Sequence, residues 1–327
     1  MGTVFVTRRV PGRAVATLEE AGHRVDVWEG ELPPPADVLR GRIEGADAVL
    51  AMLTDRFDAA VLQAAPRLRV VANMAVGYDN VNVPDAESAG VWATNTPGVL
   101  AATTADFAFA LLLAAARNVV ASDRDTRGGG WRTWSPTGFL GPEVNGSTLG
   151  IVGLGEIGRE MAKRARGFGM RILASTRTPR AKDERELGVE HVEVDALLSE
   201  ADFVSLHVPL TPQTRGLMGT TNLAKMKPTA ILINTARGPI VDQDALVEAV
   251  RARTIGGAAL DVMEPEPLPL DHPLFSLPNV IITPHIASAS VATRSRMAEM
   301  AAANIIAVLR GETPPNPVAT PPRPRGG

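Results

Sequence analysis

The sequence predicts an α/β protein made of two doubly wound parallel-sheet domains. Three observations carry the prediction. Strand-like and helix-like pieces alternate through the first hundred residues, and a second alternation begins at residue 149. At the head of that second run, S-T-L-G-I-V-G-L-G-E-I-G over 147–158 reads as strand, tight turn and helix. Alternation of this kind puts helices on the faces of a parallel sheet. At 327 residues the chain also exceeds the size at which a single core usually keeps growing.

The first run comprises pieces at 4–7, 13–21, 24–28, 38–44, 48–53, 59–64, 68–74 and 91–95. Its first turn, 8–12, has no glycine triplet, so this half is assigned to substrate and not to a dinucleotide. The loop 75–80 follows a strand, and Gly77 offers backbone N–H groups to an anion; a plain turn fits it equally well. Residues 101–117, A-A-T-T-A-D-F-A-F-A-L-L-L-A-A-A-R, are apolar nearly all round and predict a long buried helix. Such a helix needs cover on every side, and a second subunit, in a homodimer, is expected to supply part of it. The glycine-rich loop 127–134 carries Trp131 and Trp134, expected to anchor it by burying their indoles, with a neighbouring subunit's site as the alternative.

The second run has strands at 149–152, 172–175, 203–207, 230–234, 258–262 and 280–283, with helices at 159–168, 196–200 and 244–253. A long amphipathic helix over 292–309 follows, and the Pro-rich tail 314–327 has disordered composition. By its position that helix returns to the first domain. The expected division is therefore 1–98 plus 292–327 for substrate and 99–291 for the dinucleotide.

Gly153, Gly155 and Gly158 divide three tasks: making the turn, letting the backbone approach a pyrophosphate, and packing the helix close to the strand. With Glu156 and Ile157 they form the helix N-terminus that faces the phosphates. About 20 residues on, an NAD site needs an acid for the ribose hydroxyls. Thr176 stands there instead, followed by Arg177 and Thr178 with Arg180 near, so NADPH is the expected cofactor and NADH a possible one. A solvated basic loop is the plainer alternative.

Hydrophobic residues at 45%, charged residues at 21% and a formal charge of -3 describe an ordinary globular protein with no field to recruit nucleic acid or anionic lipid. Neither nucleic acid nor membrane is an expected partner. With no cysteine there is no disulfide, thiolate metal site or cysteine nucleophile, so redox chemistry needs a cofactor; no metal is expected. The N-terminus lacks a signal-like apolar region, and a cytoplasmic enzyme is the expectation.

Hydride transfer to a carbonyl needs a proton donor, and the five histidines can be searched exhaustively. His23 and His191 are read as preceding strands and His272 as sitting in a loop. His207 and His285 lie at strand C-termini, the functional edge of an α/β sheet. His285 has the better setting, with Asp261, Glu264 and Glu266 as candidate carboxylate partners. Arg237 reaches the same edge and suits a bidentate grip on a substrate carboxylate. Together these make a 2-oxo acid site.

Five motifs in order, S-T-L-G-I-V-G-L-G-E-I-G-R, H-V-P-L-T-P-Q-T-R, I-N-T-A-R-G-P-I-V-D, A-L-D-V-M-E-P-E-P-L and T-P-H-I-A-S-A, closely resemble the D-isomer-specific 2-hydroxyacid dehydrogenases. The earlier M-L-T-D-R-F-D, V-G-Y-D-N-V-N-V and W-R-T-W-S-P-T-G-F-L-G are similar to the glyoxylate and hydroxypyruvate reductase branch. The resemblance implies a flavodoxin-like substrate domain beside a Rossmann nucleotide domain, and a dimer formed through the 101–117 helix. It implies that Arg237 binds the substrate carboxylate and carbonyl, that His285 is the acid/base, and that Glu266, by its distance from Asp261, is its partner. Thr104, Val208, Pro209, Thr235, Ala236, Asp261 and Ala287 match cofactor contacts. Val76 and Gly77 match the carboxylate-binding loop, and Leu53 belongs with the substrate pocket. Two departures stand out: Ala101-Ala102 where the family often has Thr-Glu, and Glu156 where Arg is common.

The implied reaction is reduction of glyoxylate or hydroxypyruvate to glycolate or D-glycerate. Dehydrogenation of 3-phosphoglycerate or D-lactate is the alternative enzyme, and a nucleotide-sensing binding protein the alternative from another class.

Overall fold

A computed structural model describes residues 1–179 and 181–326; Arg180, expected near a cofactor phosphate, lies outside them. The chain divides into two compact units, Met1–Leu100 with Ala289–Gly327, and Ala101–Ser288.

The first unit holds strands β1 (Thr3–Val6), β2 (Arg24–Val27), β3 (Ala48–Ala51), β4 (Val70–Asn73) and β5 (Trp92–Thr94). They run parallel in the order β2-β1-β3-β4-β5. The inner strands β3 and β4 are buried at every position, which is why they read as unbroken apolar runs and not as alternations. The helices Ala14–Glu20 and Val291–Leu309 pack on each other, and the latter also covers β3 and β4. Ser290 caps that long helix by accepting the Thr293 N–H at 3.1 Å.

The second unit holds β6 (Thr148–Val152), β7 (Arg171–Ser175), β8 (Val189–His191), β9 (Phe203–Leu206), β10 (Ile231–Asn234), β11 (Gly257–Leu260) and β12 (Val280–Ile282). All are parallel, in the order β12-β11-β10-β9-β6-β7-β8. Chain order reverses between β6 and β9, and at such a switch point the loops leaving the strand ends diverge and open a crevice. The turn 153–158 and His207 both leave the sheet there. Among the described residues no single helix is long and apolar enough to cross a membrane.

The structure corrects two expectations. The Pro-rich tail is ordered: Pro317–Ala319, strand β13, pairs antiparallel with β5. Beyond it the Arg325 guanidinium donates to the carbonyls of Ala65 at 2.5 Å and Leu68 at 3.2 Å. Composition missed this because edge pairing and one half-buried arginine, not a hydrophobic period, hold the segment. Trp131 and Trp134 do not bury their indoles in their own chain, being 71% and 79% exposed. The helix Ala101–Ala116 buries one side, including Ala105, Phe109 and Leu112, against the helix Glu156–Gly167 and strands β10 and β11. Phe107 and Leu113 remain partly exposed on it. The helices Val119–Arg127 and Ala181–Leu187 and strand β8 are elements the sequence pattern did not reveal, being short and largely polar.

Candidate active site

The turn after β6 fits a dinucleotide. Gly153 has φ +97°, and a Cβ there would stand 2.8 Å from the backbone of His207. A Cβ at Gly158 would come within 2.2 Å of the Gly153 carbonyl oxygen, so only glycine lets the helix sit this close. At Gly155 a Cβ would meet nothing within 4 Å, leaving open space at the N-terminus of the helix Glu156–Gly167, where unpaired N–H groups favour an anion. Glu156 itself is exposed and Ile157 half-buried. Thr176, Arg177 and Thr178 follow β7 in a loop whose arginine is exposed. After β9 and β10 come Val208 and Ala236, half-buried, exposed Pro209, and buried Thr235, whose hydroxyl has no partner among the described residues. Thr104 is buried on the helix Ala101–Ala116, and Ala287 is buried beyond β12.

The acid/base geometry lies beyond β11 and β12. Glu266 Oε2 is 2.8 Å from His285 Nδ1, and Oε1 accepts the Met263 N–H at 2.8 Å. Burial alone would push the Glu266 carboxyl up. The His285 hydrogen bond and charge, the Met263 N–H and the Arg237 charge together outweigh it and hold the group below the ordinary carboxylate range. An ionised carboxylate only accepts, so Nδ1 carries the proton of this bond. Proton exchange is thereby left to Nε2. Of the three carboxylates that follow β11, the structure pairs Glu266, the one the resemblance implies, with His285, while Glu264 pairs with Arg215 at 3.2 Å.

Asp261, expected at the cofactor, is fully buried and occupied by the histidine loop. Its Oδ1 accepts the Thr283 hydroxyl at 2.6 Å and the Ile286 N–H at 2.9 Å, and its Oδ2 accepts the Ala287 N–H at 2.7 Å. The His285 N–H donates to the Asp261 carbonyl at 2.9 Å. These bonds enclose His285, whose φ of +55° lies in the left-handed region that a non-glycine residue enters at a cost of order 1 kcal/mol.

Arg237 follows β10 in a turn pinned by buried Asn234. Asn234 Nδ2 donates to the Arg237 carbonyl at 2.9 Å, and its Oδ1 accepts the Ala236 N–H at 3.0 Å. A Cβ on Gly238 would come 2.0 Å from the Met263 carbonyl oxygen, so this glycine lets the turn approach the segment leading to Glu266. His207 is the rejected candidate. Its Nε2 shares a hydrogen bond with Ser205 Oγ at 2.9 Å, and burial lowers its pKa to about 4, which keeps it neutral. His191 does not precede a strand but closes β8, with both ring nitrogens buried and without a partner among the described residues.

In the first unit, Leu53 lines a surface pocket with Thr54, Phe57 and Asn80. Val76 and Gly77 lie half-buried in the loop after β4. The asparagines that hold this loop, Asn73, Asn80 and Asn95, were missed from the sequence. The available signal was position, since Asn73 ends β4 as Asn234 ends β10.

Residues 109–287 match the D-isomer specific 2-hydroxyacid dehydrogenase, NAD binding domain. The chain is 55% identical over 314 residues to a glyoxylate reductase of Korarchaeum cryptofilum, covering 96% of this chain and 94% of that one. The chain belongs to the D-isomer specific 2-hydroxyacid dehydrogenase family. Among solved structures, a Thermus thermophilus protein superposes on this dehydrogenase with a TM-score of 0.92 at 49% identity, over 97% of this chain and 100% of that one. The NADPH-dependent glyoxylate/hydroxypyruvate reductase of Sinorhizobium meliloti, solved with NADP and malonate, does so at 0.87 and 33%, over 99% of each. As a D-2-hydroxyacid dehydrogenase the protein uses a pyridine nucleotide, consistent with the open glycine turn.

Proposed function

We propose that this dehydrogenase reduces glyoxylate and hydroxypyruvate to glycolate and D-glycerate, with NADPH preferred over NADH. The observation that carries the reading is the 2.8 Å Glu266–His285 pair. Relatives named glyoxylate reductase, such as that of Korarchaeum cryptofilum, support the substrate.

Bound, the nicotinamide supplies hydride to the 2-oxo carbon. His285 Nε2 delivers the proton to the carbonyl oxygen, and Glu266 stabilises the imidazolium before transfer and keeps Nδ1 protonated after it. Arg237 grips the carboxylate and stabilises the developing alkoxide. The Val76–Gly77 backbone binds the carboxylate, and Leu53 shapes the pocket beside it. Gly153, Gly155, Glu156, Ile157 and Gly158 receive the diphosphate, and Thr176, Arg177 and Thr178 the 2′-phosphate. Thr104, Val208, Pro209, Thr235, Ala236, Asp261 and Ala287 surround the rest of the nucleotide.

The reading includes a homodimer. Trp131 and Trp134, with Leu140 at 73% and Val119 at 52% exposure, present apolar surface that a second copy would cover.

Initial rates of reduced-nicotinamide oxidation with glyoxylate and hydroxypyruvate, each against NADPH and NADH, test the reaction. Rapid oxidation favouring NADPH is expected. Absence of turnover with both acids and both cofactors overturns it, and monomers alone in sedimentation at micromolar concentration overturn the dimer.

A further inference from the structure

Three consecutive peptides in the loop after β4 have their carbonyls tied into the fold. The Ala75 carbonyl accepts the Thr96 N–H at 2.8 Å. Asn95 Nδ2 donates to the Val76 carbonyl at 2.8 Å, and Asn73 Nδ2 donates to the Gly77 carbonyl at 2.8 Å. These peptides are trans, and in a trans peptide the N–H points opposite to the C=O. Tying the carbonyls of 75, 76 and 77 inward therefore turns the N–H groups of Val76, Gly77 and Tyr78 the other way. None of those three N–H groups donates a hydrogen bond among the described residues.

The Asn73 amide is itself held, and so is the backbone of Asn95. Asn73 is 1% exposed, and its Oδ1 accepts from Asn80 Nδ2 at 3.2 Å. Asn80 Nδ2 also reaches the carbonyls of Met52 at 3.1 Å and Asp55 at 2.9 Å, tying the loop that carries Leu53 to the loop that carries Gly77. Behind Asn95, its carbonyl accepts from Asn304 Nδ2 at 3.4 Å and its N–H donates to the Asn316 carbonyl at 3.2 Å. Such a chain of amides, each fixed by the next, leaves little rotational freedom to the peptides it ends on.

We infer that Asn95 and Asn73 are positioning residues that aim the Gly77 and Tyr78 N–H groups at the substrate's carboxylate. The inference rests on the proposed assignment of the Val76–Gly77 loop to that carboxylate. Without the amides the peptides rotate and the N–H dipoles no longer converge, so the preorganised binding of the anion is lost. Neither side chain touches the substrate, so the loss falls on substrate binding and not on proton transfer by His285.

The test compares Asn95→Ala, Asn73→Ser and Gly77→Pro in the full-length protein, using glyoxylate as the probe. Circular dichroism and NADPH affinity confirm folding. Asn95→Ala, at a half-buried position, carries the test if the Asn73 variant does not fold. The expected result for the asparagine variants is a roughly tenfold rise in the KM for glyoxylate, with kcat and NADPH affinity within about twofold of the parent. An unchanged KM in a folded Asn95→Ala protein overturns the inference, as does a parallel loss of kcat, KM and thermal stability, which a merely structural role would produce. Gly77→Pro deletes the N–H itself. If it raises KM while the asparagine variants do not, the inference fails and the carboxylate assignment stands. If none of the three raises KM, both fail.

Discussion

Glu266 holds His285 by Nδ1 at 2.8 Å, and under the proposed mechanism this bond leaves proton transfer to the other ring nitrogen. A carboxylate that only accepts keeps the proton on Nδ1. Glu266→Gln keeps the shape and removes the charge. We expect kcat for glyoxylate reduction to fall roughly tenfold to a hundredfold, and the alkaline limb of the pH–rate profile to move to lower pH. A profile superimposable on the parent's would refute the pairing. His285→Ala removes the proposed proton donor altogether, with an expected loss of about 10²–10⁴ in kcat at little cost in NADPH affinity.

Asp261 gathers Thr283, Ile286 and Ala287 around the left-handed His285. Replacing it with alanine strands the Ile286 and Ala287 N–H groups, at about 1–3 kcal/mol for each one that water cannot reach, and leaves the Thr283 hydroxyl only the Leu260 carbonyl at 3.3 Å. A lowered midpoint in thermal unfolding of the cofactor-free protein is expected, together with a kcat loss larger than that of Asp261→Asn, which retains one acceptor oxygen. An Asp261→Ala protein as stable and as active as the parent would dismiss the clamp.

Arg177 stands exposed beyond β7, directly after Thr176, which takes the position of the acid an NAD site needs. A guanidinium–phosphate contact is worth about 1.5–3 kcal/mol. Arg177→Ala should therefore raise the KM for NADPH by roughly tenfold to a hundredfold and leave that for NADH nearly unchanged. Equal changes for the two cofactors would remove the arginine from 2′-phosphate recognition.

His207 gives a pH signature that is independent of catalysis. Burial lowers its pKa from 6.5 to about 4, so above 6.5 both folded and unfolded states hold it neutral and it contributes no pH dependence. Between 6.5 and 4 the unfolded chain takes up a proton that the folded one refuses, so stability falls as pH falls through this window. The expected loss from this residue is on the order of 1–3 kcal/mol. Comparing unfolding free energies at pH 7 and pH 4.5 for the parent and His207→Gln checks it: the variant should lose less, and equal losses would show that the imidazole is accessible when folded.

Much of this was legible in the chain itself. Strands buried on both faces announce themselves as runs rich in Val, Ile, Leu and Ala, as β4 and β10 do, and of the glycines at 153, 155 and 158 the first holds a φ of +97° and the last a helix approach that no side chain tolerates. Arg237 and His285 were readable because each follows such a strand directly, and the end of a parallel strand is where loops meet ligands. Local sequence carries those signals because they arise from local physics: side-chain period, backbone φ and chain direction.

What only the tertiary structure decided depends on residues distant in sequence. Three carboxylates followed β11, and only the family resemblance singled out Glu266; what carries its carboxylate to His285 is the approach of two loops, 19 residues apart at the contact. His207 and His285 look alike as strand-end histidines and separate only through burial and partner charge. The tail 314–327 reads as disordered until its Pro317–Ala319 strand finds the edge of β5, and the indoles of Trp131 and Trp134 read as anchors until the fold offers them nothing to bury against. The asparagine amides that pin the Gly77 loop carry no periodic signal at all. Their role comes from which carbonyls the folded chain brings within 3 Å, and long-range packing alone sets that.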